Sequence, residues 1–407
     1  MDREIFSQRT FNKSAASRWV AGGAILALAL LAASCAGQKG EPVPPVDGKG
    51  SRPLLYLGLE IDDIVQRVVT LGVEPGGTSL GTVAQATGVS WSPDGTRLAF
   101  VTPGGMSVNV KPLSGEETTV FSAPTQFHPN YPWTVWSPDG GAVALINLWW
   151  CGDGSRTSTL VIVDPDTGKK LFEWGPFAFW DARGTDWGPT NFTTPRSFRW
   201  SPDGTRILVA WDQVAVIDVQ TGKFSLIFDG PAAAEWASDG EGVYYLEMER
   251  AIYSRNGTMT GLYFAPLRSD GRIDGEATKL LDFPAAGAGD AAGAPGVSLM
   301  SLSPDGSTLA ISSGSQERMR SQIQFYETGP DGMFEFLSPT LELSFDGLVL
   351  AVEWAPDGSG VATFEMDESG ATIRTHEFAT GSWTTLATPE ISLAQLDSVP
   401  KILSWAR

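Results

Sequence analysis

The chain is poor in the residues that most metal and acid–base sites draw on. Among 407 residues there are two histidines, His128 and His376, and two cysteines, Cys35 and Cys151. The cysteine spacing matches no metal motif, and so few imidazoles weigh against zinc sites and histidine-based catalysis. Positive charge is also scarce: 28 Lys and Arg stand against 47 Asp and Glu, a formal net charge of −19. A phosphate-tracking nucleic-acid binder needs a basic face, and so does adsorption to an anionic lipid surface. No nucleic-acid partner is therefore expected. What the chain has in quantity is glycine, 46 residues, and tryptophan, 15. Many turns with many large aromatics suit a multi-stranded β architecture.

Apolar residues run together in one place, near the start. Arg3, Arg9, Lys13 and Arg18 precede an apolar stretch from Val20 to Ala33. That stretch is short of the ~20 residues a membrane span needs, and 1–34 read as a signal peptide. The small residues before Cys35 speak for cleavage over an uncleaved anchor. Leu31-Ala32-Ala33-Ser34-Cys35-Ala36 resembles the bacterial lipobox, with Ala32 where leucine is usual. The resemblance implies acylation of the Cys35 thiol and cleavage just before it, which would give a stable membrane anchor. Ordinary cleavage leaving a free Cys35 is the alternative. Residues 35–52, polar and rich in Gly and Pro, then form a flexible tether. Cys151, left without a partner, is expected to be a small inert residue in or near the core.

One short motif recurs through 53–407. It is complete at Trp91-Ser92-Pro93-Asp94-Gly95, Trp136-Ser137-Pro138-Asp139-Gly140 and Trp200-Ser201-Pro202-Asp203-Gly204. Weaker copies start at Trp236, Leu302 and Trp354, and Ser404-Trp405-Ala406-Arg407 looks like a seventh cut short. Pro fixes φ at the second position of a tight turn, Asp bonds nearby backbone N–H groups, and Gly supplies the positive φ that closes it. Each copy therefore predicts a β-hairpin, followed by a strand, a Gly turn and another strand, such as Val161 to Gly168 or Val214 to Gly222. That is four strands per unit, and seven units share 53–407 at about 51 residues each, near the length of a propeller blade. The last strand lacks a hairpin, and the first strands (54–59, 66–71, 79–83) lack a motif before them. Joined, they complete one blade and remove the open edges.

These repeats resemble the TolB-like, WD-like propeller repeat. The resemblance implies an all-β fold, a single propeller of six or seven blades. The terminal closure favours seven four-stranded blades, with six as the alternative. The named relative also carries an α/β domain ahead of its propeller, and no such domain fits here.

Candidate chemistry is sparse. Gly77-Thr78-Ser79-Leu80-Gly81 matches a nucleophile elbow by letters but lies between strands, outside the strand-to-helix context that elbow needs. The motif aspartates recur once per unit and read as turn residues, and the motif tryptophans as packing between units. The glycines of 284–296 miss the dinucleotide-binding spacing. No metal, cofactor or catalytic residue is expected. One feature does not repeat: Trp149, Trp150, Trp174, Trp180 and Trp187 fall close together with Phe177, Phe179, Asp181, Arg183 and Asp186. Residues 174–196 lengthen the connection between the units opened by Trp136 and Trp200. Such an insertion can line a site for a sugar, a peptide or a partner protein, or simply pack on itself. The expectation is a monomeric, exported, membrane-tethered propeller facing the periplasm or cell exterior. It would bind an unknown protein or carbohydrate without catalysis. The alternative is an exported propeller lyase or glycosidase acting on polysaccharide.

Overall fold

A computed structural model describes residues 54–59, 66–71, 79–84, 87–102, 107–112, 115–122, 129–150, 156–177, 197–210, 213–230, 232–248, 259–283, 299–315, 319–327, 341–388 and 404–405. The chain divides into two units, Met1–Val43 and Pro44–Arg407, and every described residue belongs to the second. The signal segment, Cys35, Cys151, His128 and the 284–296 loop lie outside the described residues, and so does Gly77-Thr78 of the elbow-like stretch.

Each copy of the motif makes the expected hairpin. In the first, strand Thr87–Trp91 runs into the turn and Arg97–Val101 leaves it. The Gly95 amide donates to the Ser92 carbonyl at 2.9 Å, and the Ser92 amide to the Arg97 carbonyl at 2.8 Å. Gly95 has φ 69°, and its five counterparts Gly140, Gly204, Gly240, Gly306 and Gly358 lie between 69° and 74°. A side chain at that φ is strained, which is why the last letter of the motif does not vary. The carboxylate closes the turn from within. Asp94 accepts from the Thr96 amide at 3.1 Å, and Asp139, Asp203, Asp305 and Asp357 each accept from the amide two residues on at 3.0 Å.

The strands assemble into seven four-stranded antiparallel sheets, the blades of one β-propeller. Blade 1 takes its inner strand, Ser404–Trp405, from the C-terminus and the other three from Leu54–Leu59, Gln66–Leu71 and Ser79–Ala84. Leu54 pairs with Trp405 and Leu55 with Ser404, as terminal closure requires. Blades 2 to 7 follow in chain order. Their inner strands are Thr87–Trp91, Pro129–Trp136, Ser197–Trp200, Ala232–Trp236, Leu299–Leu302 and Leu348–Trp354. Each inner strand touches the next, and Ser404–Trp405 touches both Leu348–Trp354 and Thr87–Trp91, so the ring is closed.

The core lies between blades. Ala99, Val101, Val108 and Val110 of blade 2 pack on Trp136, Val143 and Leu145 of blade 3, and the same layering recurs around the ring. Motif tryptophans add a directed bond. Trp136 Nε1 donates to the Ser90 carbonyl at 3.1 Å, Trp200 to Val135 at 3.2 Å, Trp236 to Arg199 at 3.4 Å and Trp354 to Ser301 at 3.1 Å. Each acceptor sits immediately before the motif of the preceding blade. Two complete copies reach forward as well. Arg97 bonds the Gly140 carbonyl at 3.2 Å with its guanidinium 4.7 Å above the Trp136 ring. Arg206 does the same to Gly240 at 2.8 Å and Trp236 at 5.1 Å. The expectation of blade-to-blade packing for these tryptophans holds, with a hydrogen bond added.

Candidate functional site

The two ends of the ring differ. In an antiparallel four-stranded blade, the first and third connections lie on one face. The second connection and the crossing to the next blade lie on the other. The motif turns occupy the first face. The three longest connections between strands, 178–196, 283–298 and 388–403, all leave from the second.

This topology places the aromatic group at one end of blade 3. Trp149 and Trp150 end strand Val143–Trp150, paired in register with Thr157 and Arg156 at the start of the next strand. The chain leaves the blade at Phe177 and enters the next at Ser197, on that same face. Trp174 stands apart. It belongs to the outer strand Lys170–Phe177 rather than to the insertion, and it stacks on Phe224 of blade 4 with centroids 5.5 Å apart and planes 6° apart. With Phe172 it flanks the core between blades 3 and 4. Trp180 and Trp187 lie outside the described residues.

The centre of the ring holds a charged group that no motif announces. The residue before the motif start is Ser90, Val135, Arg199, Glu235, Ser301, Glu353 or Ser404, according to blade. Arg199 Nε lies 2.7 Å from Glu235 Oε2. The contact is an ion pair without the alignment of a hydrogen bond. Glu235 Oε1 accepts from the Trp236 amide at 3.2 Å. The Glu235 carboxylate raises the pKa of Arg199 most, burial opposes it, and Glu353 raises it further. Arg199 sits in blade 4 and Glu353 in blade 7. Blades three apart on a seven-membered ring face each other across its middle, and all three residues lie on inner strands. Protein surrounds the Arg199 side chain, yet it keeps 24% of its surface in solvent against 12% for Glu235. The sequence signal was available once the hairpin register was known: three of seven residues at one repeating position carry charge.

Other ionisable groups serve the scaffold. Hydrogen bonds from Ser137 and the Gly141 amide hold Asp139 below its ordinary range against burial. At Asp94 burial is the largest single influence and pushes upward, but bonds from Ser92 and Thr96 outweigh it. Within blade 7, Arg374 bonds Glu365 through two nitrogens and lies 4.8 Å from the Trp383 ring, and it reaches the Phe345 ring of blade 6 at 5.8 Å. Among the described residues, no group of three or more His, Cys, Asp or Glu could hold a metal ion.

No family model matches the sequence, and no curated protein matches it either. Solved structures do match in fold. A candidate 6-phosphogluconolactonase from Bacteroides fragilis aligns over 88% of this chain and 99% of its own at 17% identity, with a TM-score of 0.56. An oligogalacturonate lyase in complex with manganese aligns over 79% of this chain and 83% of its own at 13% identity, with a TM-score of 0.51. TolB from Acinetobacter baumannii aligns over 81% and 78% at 15% identity, with a TM-score of 0.43. At such identities the likeness extends to the fold alone. The chain is a β-propeller protein.

Proposed function

We propose that this chain is a membrane-tethered extracytoplasmic propeller lipoprotein that binds a protein or carbohydrate partner and does not catalyse a reaction. The observation that supports it is the unequal treatment of the two faces. One face carries the six motif turns, each closed by its own aspartate. The other carries the longest connections, and beside one of them stand Trp149 and Trp150, with Trp180 and Trp187 inside it. Long loops held on a rigid scaffold are the usual carriers of recognition, and tryptophan is enriched among residues that dominate binding energy. Lipidation at Cys35 supplies the tether and the location, and the relation to TolB-like propellers rests on the W-S-P-D-G repeat.

The polysaccharide-cleaving alternative would use paired carboxylates in the channel. Glu235 is engaged by Arg199 at 2.7 Å, which commits that carboxylate to an ion pair. That weighs towards binding.

Mass spectrometry of the full chain purified from membranes should find residues 1–34 removed and acyl chains on Cys35, both lost in Cys35→Ser. The double variant Trp180→Ala, Trp187→Ala should lose most of the cross-linked membrane partner or glycan-array signal. An unmodified Cys35 would overturn the tether, and an unchanged binding profile would overturn the loop face.

A further inference from the structure

We propose that the outer rim where blades 3 and 4 meet is a membrane-contact patch. It lays the propeller on a lipid surface with the motif-turn end inward and the long-loop face outward. The proposal rests on the lipoprotein reading for its tether, and adds to that reading a docking surface and an orientation.

Among the described residues, the exposed large apolar side chains are Leu171, Phe224 and Leu226, at 50%, 38% and 44%. All three belong to the outer strands of blades 3 and 4, Lys170–Phe177 and Phe224–Phe228. A lone surface leucine is ordinary, but a gathered group is not. Phe224 stacks on half-buried Trp174 with centroids 5.5 Å apart. The Phe172 and Trp174 rings both lie against Gly222, at 3.7 Å and 3.5 Å from where its Cβ would stand. Leu171 directly precedes Phe172. Leu226 shares a strand face with Phe224, since alternation puts buried Ser225 and Ile227 on the other. The apolar surface therefore crosses the seam. Outer strands elsewhere do without it. Every exposed position described in those of blades 2, 5, 6 and 7 is polar, as at Thr118, Thr119, Thr278, Lys279, Glu342 and Ser382.

Placement, area and charge favour a bilayer as the occupant. Leu54 pairs with Trp405, which stands at a motif position, so residues 36–53 join the ring at the motif-turn end. The two outer strands start at that same end, each just after a turn closed by the Gly168 or Gly222 amide. A flexible tether of that length spans about 25 Å root-mean-square. It makes contact with the surface that holds Cys35 intramolecular, at an effective concentration on the order of millimolar. A small patch then suffices for lipid. It does not suffice for a second copy, because a stable interface buries about 800 Å² per partner and three partly exposed side chains supply a fraction of that. Lys169, Lys170 and Lys223 border the patch, and lysine beside aromatic and aliphatic side chains suits the headgroup region. Lys170 pairs with Glu173 and Lys223 with Asp270 at 2.6 Å, which leaves the rim near neutral in a chain of net charge −19. An anionic surface repels so acidic a chain, and a near-neutral apolar rim is where approach costs least.

The test uses the full chain reconstituted in phosphatidylcholine vesicles that carry a photoactivatable phospholipid, with adducts mapped by mass spectrometry. Adducts should concentrate on peptides spanning Lys170–Phe177 and Phe224–Phe228 over the outer strands of blades 2, 5, 6 and 7. They should fall by about tenfold or more in Leu171→Ser with Leu226→Ser, which removes two leucines from the lipid contact. Both side chains are exposed, so the variant keeps the fold, which circular dichroism checks, and Leu226→Ser alone decides if it does not. Phosphatidylglycerol added to the vesicles should not raise the yield. Should Cys35 prove unacylated, a maleimide phospholipid coupled at Cys35 of the Cys151→Ser chain supplies the tether, so failure of the lipoprotein reading shows separately. Adducts spread evenly round the ring or confined to the long connections would overturn the proposal, as would adducts kept by the double variant. So would crosslinks between copies at Leu226 in place of lipid, or a yield that climbs with anionic lipid.

Discussion

Two seams of the ring solve the same problem differently. Between blades 4 and 5, directed bonds cross the boundary in both directions. Trp236 donates back to the Arg199 carbonyl, and Arg206 donates forward to the Gly240 carbonyl while covering the Trp236 ring. The Ala234 amide also donates to Ser197 Oγ at 2.9 Å. Between blades 5 and 6 neither long-range donor exists, because Leu302 stands where the tryptophan would be and Gly242 where the arginine would be. That seam is filled instead by Tyr244, Leu246, Met248, Leu262, Met300, Leu309, Ile311 and Tyr326. A degenerate repeat therefore still makes its turn but gives up direction between blades, and apolar volume replaces it. The turn and the clasp are separable parts of one motif.

The comparison breaks most sharply at the clasp tryptophan. Trp236 is 4% exposed, and Trp236→Ala should cost about 3–5 kcal/mol, from lost burial and a cavity. Leu302→Ala, at the half-buried counterpart, should cost about 2 kcal/mol or less. Urea unfolding followed by intrinsic fluorescence measures both, and equal losses would mean that the directed seam has no special weight. Arg206→Met comes next. It keeps much of the apolar stem but removes the bond to Gly240 and the contact with the indole, for an expected loss of about 1–3 kcal/mol. Gly242 offers no corresponding group to remove.

Acid sharpens the comparison with a smaller effect. Burial pushes the Asp203 pKa up, but bonds from Ser201 and Thr205 and the charge of Arg206 outweigh it and hold it below the ordinary carboxylate value. A carboxyl with a lowered folded pKa stabilises the fold above its unfolded pKa, near 4, and that contribution disappears as pH falls through the folded value. Asp203→Asn should therefore lower the urea midpoint at pH 6, with the gap to wild type closing towards pH 3. A gap independent of pH would assign the loss to shape rather than charge.

Much of this was legible before any coordinates. Pro93, Asp94 and Gly95 specify a turn whatever surrounds them, so hairpins, repeat number and terminal closure could be read from one-dimensional pattern. Residues whose meaning depends on a neighbouring blade could not. Arg97 and Arg206 read as ordinary strand residues, and their reach to the next motif appears only when blades stand side by side. Trp174 read as the start of an insertion, because a strand's outer limit leaves no local mark when aromatics continue past it. Arg199 and Glu235 are one repeat apart and meet only because blades 4 and 5 stand side by side, and a single charged residue in a strand carries no signal of that. The aromatic group at 149–187 was legible as composition, but its place on one face required the strand order.

The claim on which the rest depends is that the C-terminal strand completes the first blade. Leu55 and Ser404 are directly opposed in that sheet, at a Cα separation of about 4.5–5.5 Å, within reach of a disulfide. The most direct measurement is oxidation of the full chain carrying Leu55→Cys and Ser404→Cys with Cys35 and Cys151 replaced by serine, followed by non-reducing electrophoresis and peptide mapping. A closed ring predicts a rapid intramolecular 55–404 crosslink that raises the urea midpoint. Free thiols after oxidation, or crosslinks only between molecules, would contradict it.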